Sequence, residues 1–300
     1  MAPEQDPGGG ARRVFRFAPS PNGYLHLGHA YSALLNFRWA RACGGRMLLR
    51  IEDIDRERSR REFEQALLED LHWLGVHWDA PPRRQSEHLA DYSAALDTLA
   101  RRGLAYPCFC SRADIARACA GKKDWPRDPD GSLLYPGTCR GLSEAARAAR
   151  MASGAPFSLR LAMTDTLATI EAPLTYREFH EGDSGAVVTA TPEVWGDVLI
   201  GRRDVPASYH IACVLDDHVQ AVTDVVRGVD LEAATGLHRL LQALLDLRTP
   251  DYRHHRLVLD GAGKKLSKSS AAPSLRALRR QGLGAADVLA DLSRRMNVPL

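Results

Sequence analysis

The alternation of apolar and polar positions divides the start of the chain into short strands and amphipathic helices. A β-rich run ends at a proline in VFRFAPS (14–20), and helical spacing ends at two glycines in YSALLNFRWARACGG (31–45). A compact apolar strand ends in acidic residues in RMLLRIED (46–53). This succession of strand, loop, helix and strand predicts the beginning of a parallel α/β unit.

The middle of the chain interrupts this pattern and the later part resumes it. Helical spacing continues in 59–74 and 88–102, whereas 105–145 has little periodicity and is rich in Cys, Pro, Gly and Lys, which predicts an insertion. Strands are predicted in APFSLRLAM (155–163) and VWGDVLIGRRD (194–204). A return to the parallel core is predicted over 209–228, followed by an amphipathic helix over 230–247 and a strand over 254–260.

The composition fits a globular protein and argues against several other classes. Of the 300 residues, 45% are hydrophobic and 26% charged. No apolar run approaches the ~20 residues of a membrane helix. The first residues lack the order of a signal peptide, and 1–11 predict a disordered tail. Six cysteines do not suggest a disulfide scaffold, so we expect a reduced, cytoplasmic protein without membrane contact.

The net charge of +3 excludes a uniformly basic surface, although adjacent pairs of basic residues recur along the chain. If several pairs shared one face, they would form a stripe suited to the phosphates of a nucleic acid. Such pairs are more often ordinary surface, and the sequence leaves the choice open.

Two short motifs far apart in the chain have chemistry suited to a nucleotide. HLGH (26–29) lies between a predicted strand and helix, where backbone N–H groups favour anions and two imidazoles can donate to phosphate oxygens. Gly28 leaves room for a ligand to approach. In KLSKS (265–269), Lys265 and Lys268 place flexible positive charges in a glycine-rich loop. Either motif alone would be weak evidence.

Together the motifs resemble the HIGH and KMSKS regions of class I aminoacyl-tRNA synthetases. The match is with the glutamyl and glutaminyl subgroup, over roughly 12–270. It rests on RFAPSPNG (16–23), LLRIEDID (48–55), AYPCFC (105–110), YHIACVLDDH (209–218), VTDVVRGVDL (222–231) and HHRLVLDGAGKKLSKS (254–269).

The resemblance implies an α/β fold with a class I synthetase-type Rossmann core around a parallel sheet. After the tail at 1–11, the halves of the core would be 12–104 and 191–250, separated by a zinc-containing, acceptor-type insertion at 105–190. The segment 251–300 would hold the lysine loop and a short helical end, with no anticodon-binding domain.

The resemblance also implies that an amino-acid carboxylate attacks the α-phosphate of ATP and releases pyrophosphate. Catalysis of this reaction is mostly positioning and charge stabilisation. His26, Gly28, His29 and Lys268 would bind ATP, with Mg²⁺ expected beside it. Catalysis would depend on His26 and His29 and on Lys265 and Lys268, which would meet the charge developing on pyrophosphate.

Glutamate is the amino acid that these residues favour. The family's amino-acid-binding positions are occupied here by Arg16, Phe17, Ala18, Pro19, Ser20, Glu52, Tyr209 and Arg227. Two guanidinium groups suit two carboxylates, and Glu52 can accept the ammonium group. Glutamine would leave one buried arginine unpaired, which is costly.

The insertion contains a candidate metal site. Cys108, Cys110 and Cys139 lie in a segment with little core of its own, which one zinc ion would stabilise. From the residues alone, the candidates for a fourth ligand are Tyr135, Cys119 and Asp114. The segment resembles the insertion of a short glutamyl-synthetase paralogue in which a tyrosine takes this place, which favours Tyr135 over Cys119.

That paralogue activates L-glutamate without tRNA and transfers it to queuosine at the wobble position of tRNA(Asp). The short segment after Ser269 resembles it, and we therefore expect the same partners and a monomer. Two alternatives stay open. One is a truncated glutamyl-tRNA synthetase that charges a 3′ end, and the other is an idle RNA-binding paralogue.

Overall fold

Two β-sheets organise the protein in a computed structural model that describes residues 12–179, 185–260, 263, 266 and 273–300. The strands are β1 (Val14–Phe17), β2 (Arg46–Ile51), β3 (Arg83–Arg84), β4 (Ala105–Cys108), β5 (Ser158–Leu161), β6 (Thr175–Glu178), β7 (Ala186–Thr189), β8 (Leu199–Gly201), β9 (Asp224–Gly228) and β10 (Asp251–His255).

Helices cover the sheets and fill the connections between strands. They are α1 (Leu27–Ala42), α2 (Arg61–Trp73), α3 (Leu89–Arg101), α4 (Arg112–Cys119), α5 (Glu144–Ala152), α6 (Met163–Leu167), α7 (Tyr209–Val219), α8 (Glu232–Leu244), α9 (Leu275–Arg280) and α10 (Ala285–Met296). Within the described residues, none of them has the length and apolar character needed to cross a membrane.

The larger sheet has seven strands in the order β3-β2-β1-β9-β10-β6-β7, all parallel except β7. The chain leaves β1 through α1 to reach β2 on one side, whereas β9 pairs with β1 on the other side. The carboxyl ends of β1 and β9 therefore form a topological switch point, the usual place for a ligand in such sheets. The predicted parallel α/β core is confirmed.

The smaller sheet is antiparallel, in the order β4-β5-β8. It does not follow the predicted division at residue 190. β6 and β7, inside the predicted insertion, pair in the larger sheet, while β8, from the predicted second half of the core, pairs with β5. The domain boundaries stay a prediction. In the structure, however, each sheet contains strands from both the predicted insertion and the predicted core.

Several helices and strands begin or end at residues other than those that the sequence pattern predicted. The strand predicted over 254–260 is instead β10 at Asp251–His255, because its ladder with β9 ends where β9 ends, at Gly228. The segment 209–228 divides into α7 and β9. α1 begins at Leu27, so HLGH forms the start of this helix and not a loop before it.

The last two described helices belong to the core. Leu275 of α9 and Leu292 of α10 are fully buried in the apolar cluster that holds α1, β1 and β2. The backbone N–H of Leu275 donates to the carbonyl of Leu25 at 2.7 Å, and a β-bridge joins Ser274 to His26. The end of the chain therefore supports the start of α1.

Candidate active site

A cavity of about 580 Å³ opens at the switch point, between the carboxyl ends of β1 and β9 and the start of α1. Its lining includes every predicted glutamate and ATP residue that the structure describes, namely Arg16, Phe17, Ala18, Pro19, Ser20, His26, Gly28, His29, Glu52, Tyr209 and Arg227. Lys265 and Lys268 lie outside the described residues, although Leu266 between them lines the cavity. The roles of these residues stay a prediction.

The two histidines face the cavity with a defined proton arrangement. Nδ1 of His26 accepts the backbone N–H of Gly28 at 3.1 Å, and Nδ1 of His29 accepts the N–H of His26 at 3.2 Å. Because both Nδ1 atoms accept, each neutral ring carries its proton on Nε2. The pair thus caps the helix and presents N–H donors beside the positive end of α1.

Gly28 has a second role that the sequence did not indicate. A Cβ atom at this position would lie 3.0 Å from Cε1 of His26. That distance is tighter than ordinary packing, so a side chain here would displace the imidazole ring. The absence of a side chain at Gly28 therefore leaves space for the His26 ring as well as for a ligand.

Beneath the cavity lies a buried ion cluster centred on Asp217 of α7. The carboxylate Oδ1 accepts Nε of Arg16 at 3.0 Å and Nη1 of Arg50 at 2.7 Å. Although burial opposes ionisation, these two arginines hold the pKa of Asp217 below its ordinary value. The cluster ties α7 to β1 and β2.

Sequence reasoning missed Arg50 and Asp217. The available signals were an arginine within the apolar run LLRIED and an aspartate pair within an apolar helix. Either charge, read alone, is consistent with a surface position, and only the fold brings them together.

Glu52 occupies the same buried network. Burial raises the pKa of Glu52 to about 7, although Arg50 and Arg16 favour its ionised form. Arg50 Nη2 lies 3.4 Å from its carboxylate. The carboxylate is therefore poised to ionise fully when a cation, such as an ammonium group, enters the cavity.

Arg227 is surrounded by neutral groups. It donates to Thr235 Oγ1 at 2.7 Å, to Nδ1 of His238 at 3.3 Å, to Nε2 of His254 at 3.4 Å and to the hydroxyl of Tyr209 at 3.4 Å. Since the Tyr209 oxygen accepts from Arg227, its own O–H can donate into the cavity. Sequence reasoning missed Thr235 and His238, which lie in no motif, and assigned no role to His254 at the start of HHRLVLDGAGKKLSKS.

Cys213 of α7 has a buried thiol in contact with the same network. Its Sγ lies 3.7 Å from both Asp217 Oδ2 and Arg50 Nη2. Burial raises the pKa of Cys213 to about 12, so the thiol is protonated and neutral.

The predicted metal residues meet beside β4. The Sγ atoms of Cys108, Cys110 and Cys139 lie within 4.8 Å of one another. The hydroxyl of Tyr135 lies 3.5 Å from Cys110 Sγ. Three soft sulfur donors this close together can hold a metal ion, and the phenol is a fourth donor within reach.

The alternative fourth ligands are less well placed. Cys119 is buried and does not belong to the three-cysteine group. The carboxylate of Asp114 accepts the N–H and hydroxyl of Ser111 at 2.8 and 2.7 Å and thereby caps α4. The geometry favours Tyr135.

Comparison with known proteins agrees with the fold. Residues 13–296 match the family described as tRNA synthetases class I (E and Q), catalytic domain. The chain belongs to this family of class I synthetases.

Curated relatives narrow the assignment within the family. The chain is 46% identical over 278 residues to the glutamyl-Q tRNA(Asp) synthetase of Rhodobacter capsulatus, with 92% of this chain and 98% of that protein covered. It is 41% identical over 284 residues to the protein of the same name from Nocardia farcinica, covering 95% and 85%. These relatives place the chain in the glutamyl-Q tRNA(Asp) synthetase branch, as the sequence predicted.

Solved structures show the same fold. A glutamate tRNA ligase from Elizabethkingia meningosepticum in complex with its amino acid superimposes with a TM-score of 0.70 at 27% identity. The match covers 91% of this chain and 53% of that chain, so the present chain spans about half the ligase. Methionyl-tRNA synthetase from Mycobacterium tuberculosis, at 13% identity and a TM-score of 0.55, shares the fold alone.

Proposed function

We propose that this protein activates L-glutamate with ATP, without tRNA, and then transfers the glutamyl group to queuosine at the wobble position of tRNA(Asp). One observation carries the first step: a single cavity holds two arginines, one carboxylate and two helix-capping histidines. The names of the Rhodobacter and Nocardia relatives support the second step.

In the first step, an oxygen of the glutamate α-carboxylate attacks the α-phosphorus of ATP. The bond to the bridging oxygen breaks and pyrophosphate leaves, giving glutamyl adenylate. Arg16 and Arg227 bind carboxylates and Glu52 binds the ammonium group. The Nε2–H groups of His26 and His29 donate to phosphate oxygens, and Lys265 and Lys268 stabilise pyrophosphate. Mg²⁺ accompanies ATP as its usual counter-ion.

In the second step, a hydroxyl oxygen of the queuosine cyclopentene-diol attacks the carbonyl carbon of the adenylate. The bond to the phosphate oxygen breaks, AMP leaves and the hydroxyl proton passes to solvent. The product is an ester on the modified base.

The three cysteines and Tyr135 are proposed to hold one structural zinc ion. Zinc would link the turn after β4 to the loop around Cys139. Few buried apolar side chains join these two segments. None of the six cysteines forms a disulfide, which suits the proposed cytoplasmic setting, and we propose that the protein acts as a monomer.

The deciding experiment supplies labelled glutamate and ATP together with tRNA(Asp), prepared with queuosine or with unmodified guanosine at the wobble position. We expect glutamate-dependent ATP–pyrophosphate exchange without tRNA, and label only on the queuosine-containing tRNA. Nuclease digestion then identifies the labelled nucleoside. Label on the terminal adenosine would instead show conventional charging, and exchange without label on any RNA would overturn the transfer step.

A further inference from the structure

The neutral surroundings of Arg227 differ sharply from those of the other arginine in the cavity. Arg16 pairs with Asp217 at 3.0 Å. Within the described part of the chain, Arg227 forms no ion pair with Asp or Glu, although its side chain is buried. A buried cation without a counter-ion is costly, so its solvation by neutral acceptors needs an explanation.

The direction of each hydrogen bond fixes the protonation of the two histidines. An arginine only donates, so Nδ1 of His238 and Nε2 of His254 carry no proton. The proton of His238 is then on Nε2, which lies 3.2 Å from Nδ1 of His210. The proton of His254 is on Nδ1, which lies 2.7 Å from the carboxylate of Glu178.

The rings of His238 and His210 stay neutral for physical reasons. Burial and the nearby Arg227 hold the pKa of His238 well below its ordinary value, and the same two causes lower the pKa of His210 to about 4. Glu178 of β6 fixes the tautomer of His254 from outside the cavity. The sheet and α8 therefore position Arg227 without neutralising it.

We infer that Thr235, His238 and His254 are positioning residues that hold Arg227 through neutral acceptors, so that its charge stays available for a carboxylate of the amino acid. This inference rests on the proposed function. It predicts that a carboxylate placed among these acceptors would compete with the substrate, whereas an amide of the same size would not.

Thr235 allows a matched test, because it is fully buried on α8 and contacts Arg227 directly. Thr235→Asp and Thr235→Asn differ in charge and hardly in size. In the full-length protein, we expect Thr235→Asp to weaken L-glutamate binding, measured by calorimetry, at least about tenfold relative to Thr235→Asn. The KM for ATP should differ less than about threefold between the two, since the histidines at α1 are unchanged.

Equal glutamate affinities in the two variants would overturn the inference and leave the proposed function standing, provided that the wild type binds glutamate and supports exchange. A wild type that does neither would overturn both. If Thr235→Asp does not fold, Thr235→Val and Thr235→Ser replace the pair. Valine, which lacks the acceptor, should then bind glutamate at least about fivefold more weakly than serine, and equal affinities would again overturn the inference.

Discussion

At the residue scale, the surroundings of Glu52 decide what this side chain can do. Burial raises the pKa of this carboxyl group and two arginines lower it, which leaves the pKa near neutrality. Small changes in its surroundings therefore change its charge. In the proposed site the ammonium group of glutamate supplies such a change. In the free protein, the pKa of Glu52 thus lies close to neutral pH at the place where a cation is expected to bind.

A pH dependence follows for the activation step. Because Glu52 has a pKa of about 7 in the free protein, its acceptor form disappears as pH falls. We expect kcat/KM for glutamate in pyrophosphate exchange to fall about tenfold per pH unit below this value, since kcat/KM reports ionisations of the free enzyme. Glu52→Gln should be slow and lack this inflection. A wild-type profile that stayed flat down to about pH 5.5 would contradict the role of Glu52.

The residues that could be predicted from the sequence are those that lie within a short motif. His26 and His29 are the first and last residues of a four-residue motif, so their spacing in the sequence is enough to predict that they lie close together. Thr235 and His238 reach Arg227 from α8 and His254 reaches it from β10, and nothing local to any of them signals the contact. The residues that support the site depend on tertiary packing and could not be predicted.

At the element scale, the segment after β4 is held by few buried apolar groups. Its small cluster consists mainly of Tyr106 and the cysteines themselves, packed near Tyr135. The ring of Tyr135 is also covered by the guanidinium of Arg160 at 4.0 Å. A metal ion would therefore contribute much of the order in this segment.

Elemental analysis tests the metal. We expect about one zinc ion per chain, lost in Cys108→Ser and in Cys139→Ser because each removes a thiolate ligand. Cys43→Ser is the matched control, since Cys43 is an exposed thiol outside the group. Tyr135→Phe should lower zinc affinity in competition with a chelator, and Cys119→Ser should not. The reverse order of these two would show that the fourth ligand is Cys119.

Element boundaries were harder to predict than element types. The apolar run in 254–260 has strand character, yet β10 ends at His255 because its partner β9 ends. The length of this strand is set by the neighbouring strand. The apolar pattern within one segment carries no information about that distant partner. The parallel core, by contrast, follows from the order of strands and helices alone.

At the scale of the whole molecule, the last described segment closes the structure around the first motif. Leu275 is buried against α1 and donates its N–H to Leu25, one residue before the capping histidine. Arg279 of α9 contacts the buried Asp70 of α2 at 2.9 Å. Nucleotide binding should therefore depend on residues far from any phosphate.

Leu275→Ala tests this dependence. Loss of a fully buried leucine should lower the free energy of unfolding by about 2–5 kcal/mol, measured by urea denaturation. The KM for ATP should rise more than the KM for glutamate, because the start of α1 loses its support while Arg227 and Glu52 keep theirs. Leu283→Ala, at a position 37% exposed, is the control and should change both quantities little. A larger effect on glutamate than on ATP would contradict this link.

The β-bridge between Ser274 and His26 also affects the order of events during folding. The two residues are separated by most of the chain, and contacts of such long range form late because much of the chain must be ordered first. Local helices and the β1–β2 pair can form while this contact is still absent. A refolding molecule should thus regain its circular dichroism before it regains pyrophosphate exchange, with the lag ending when the two distant segments meet.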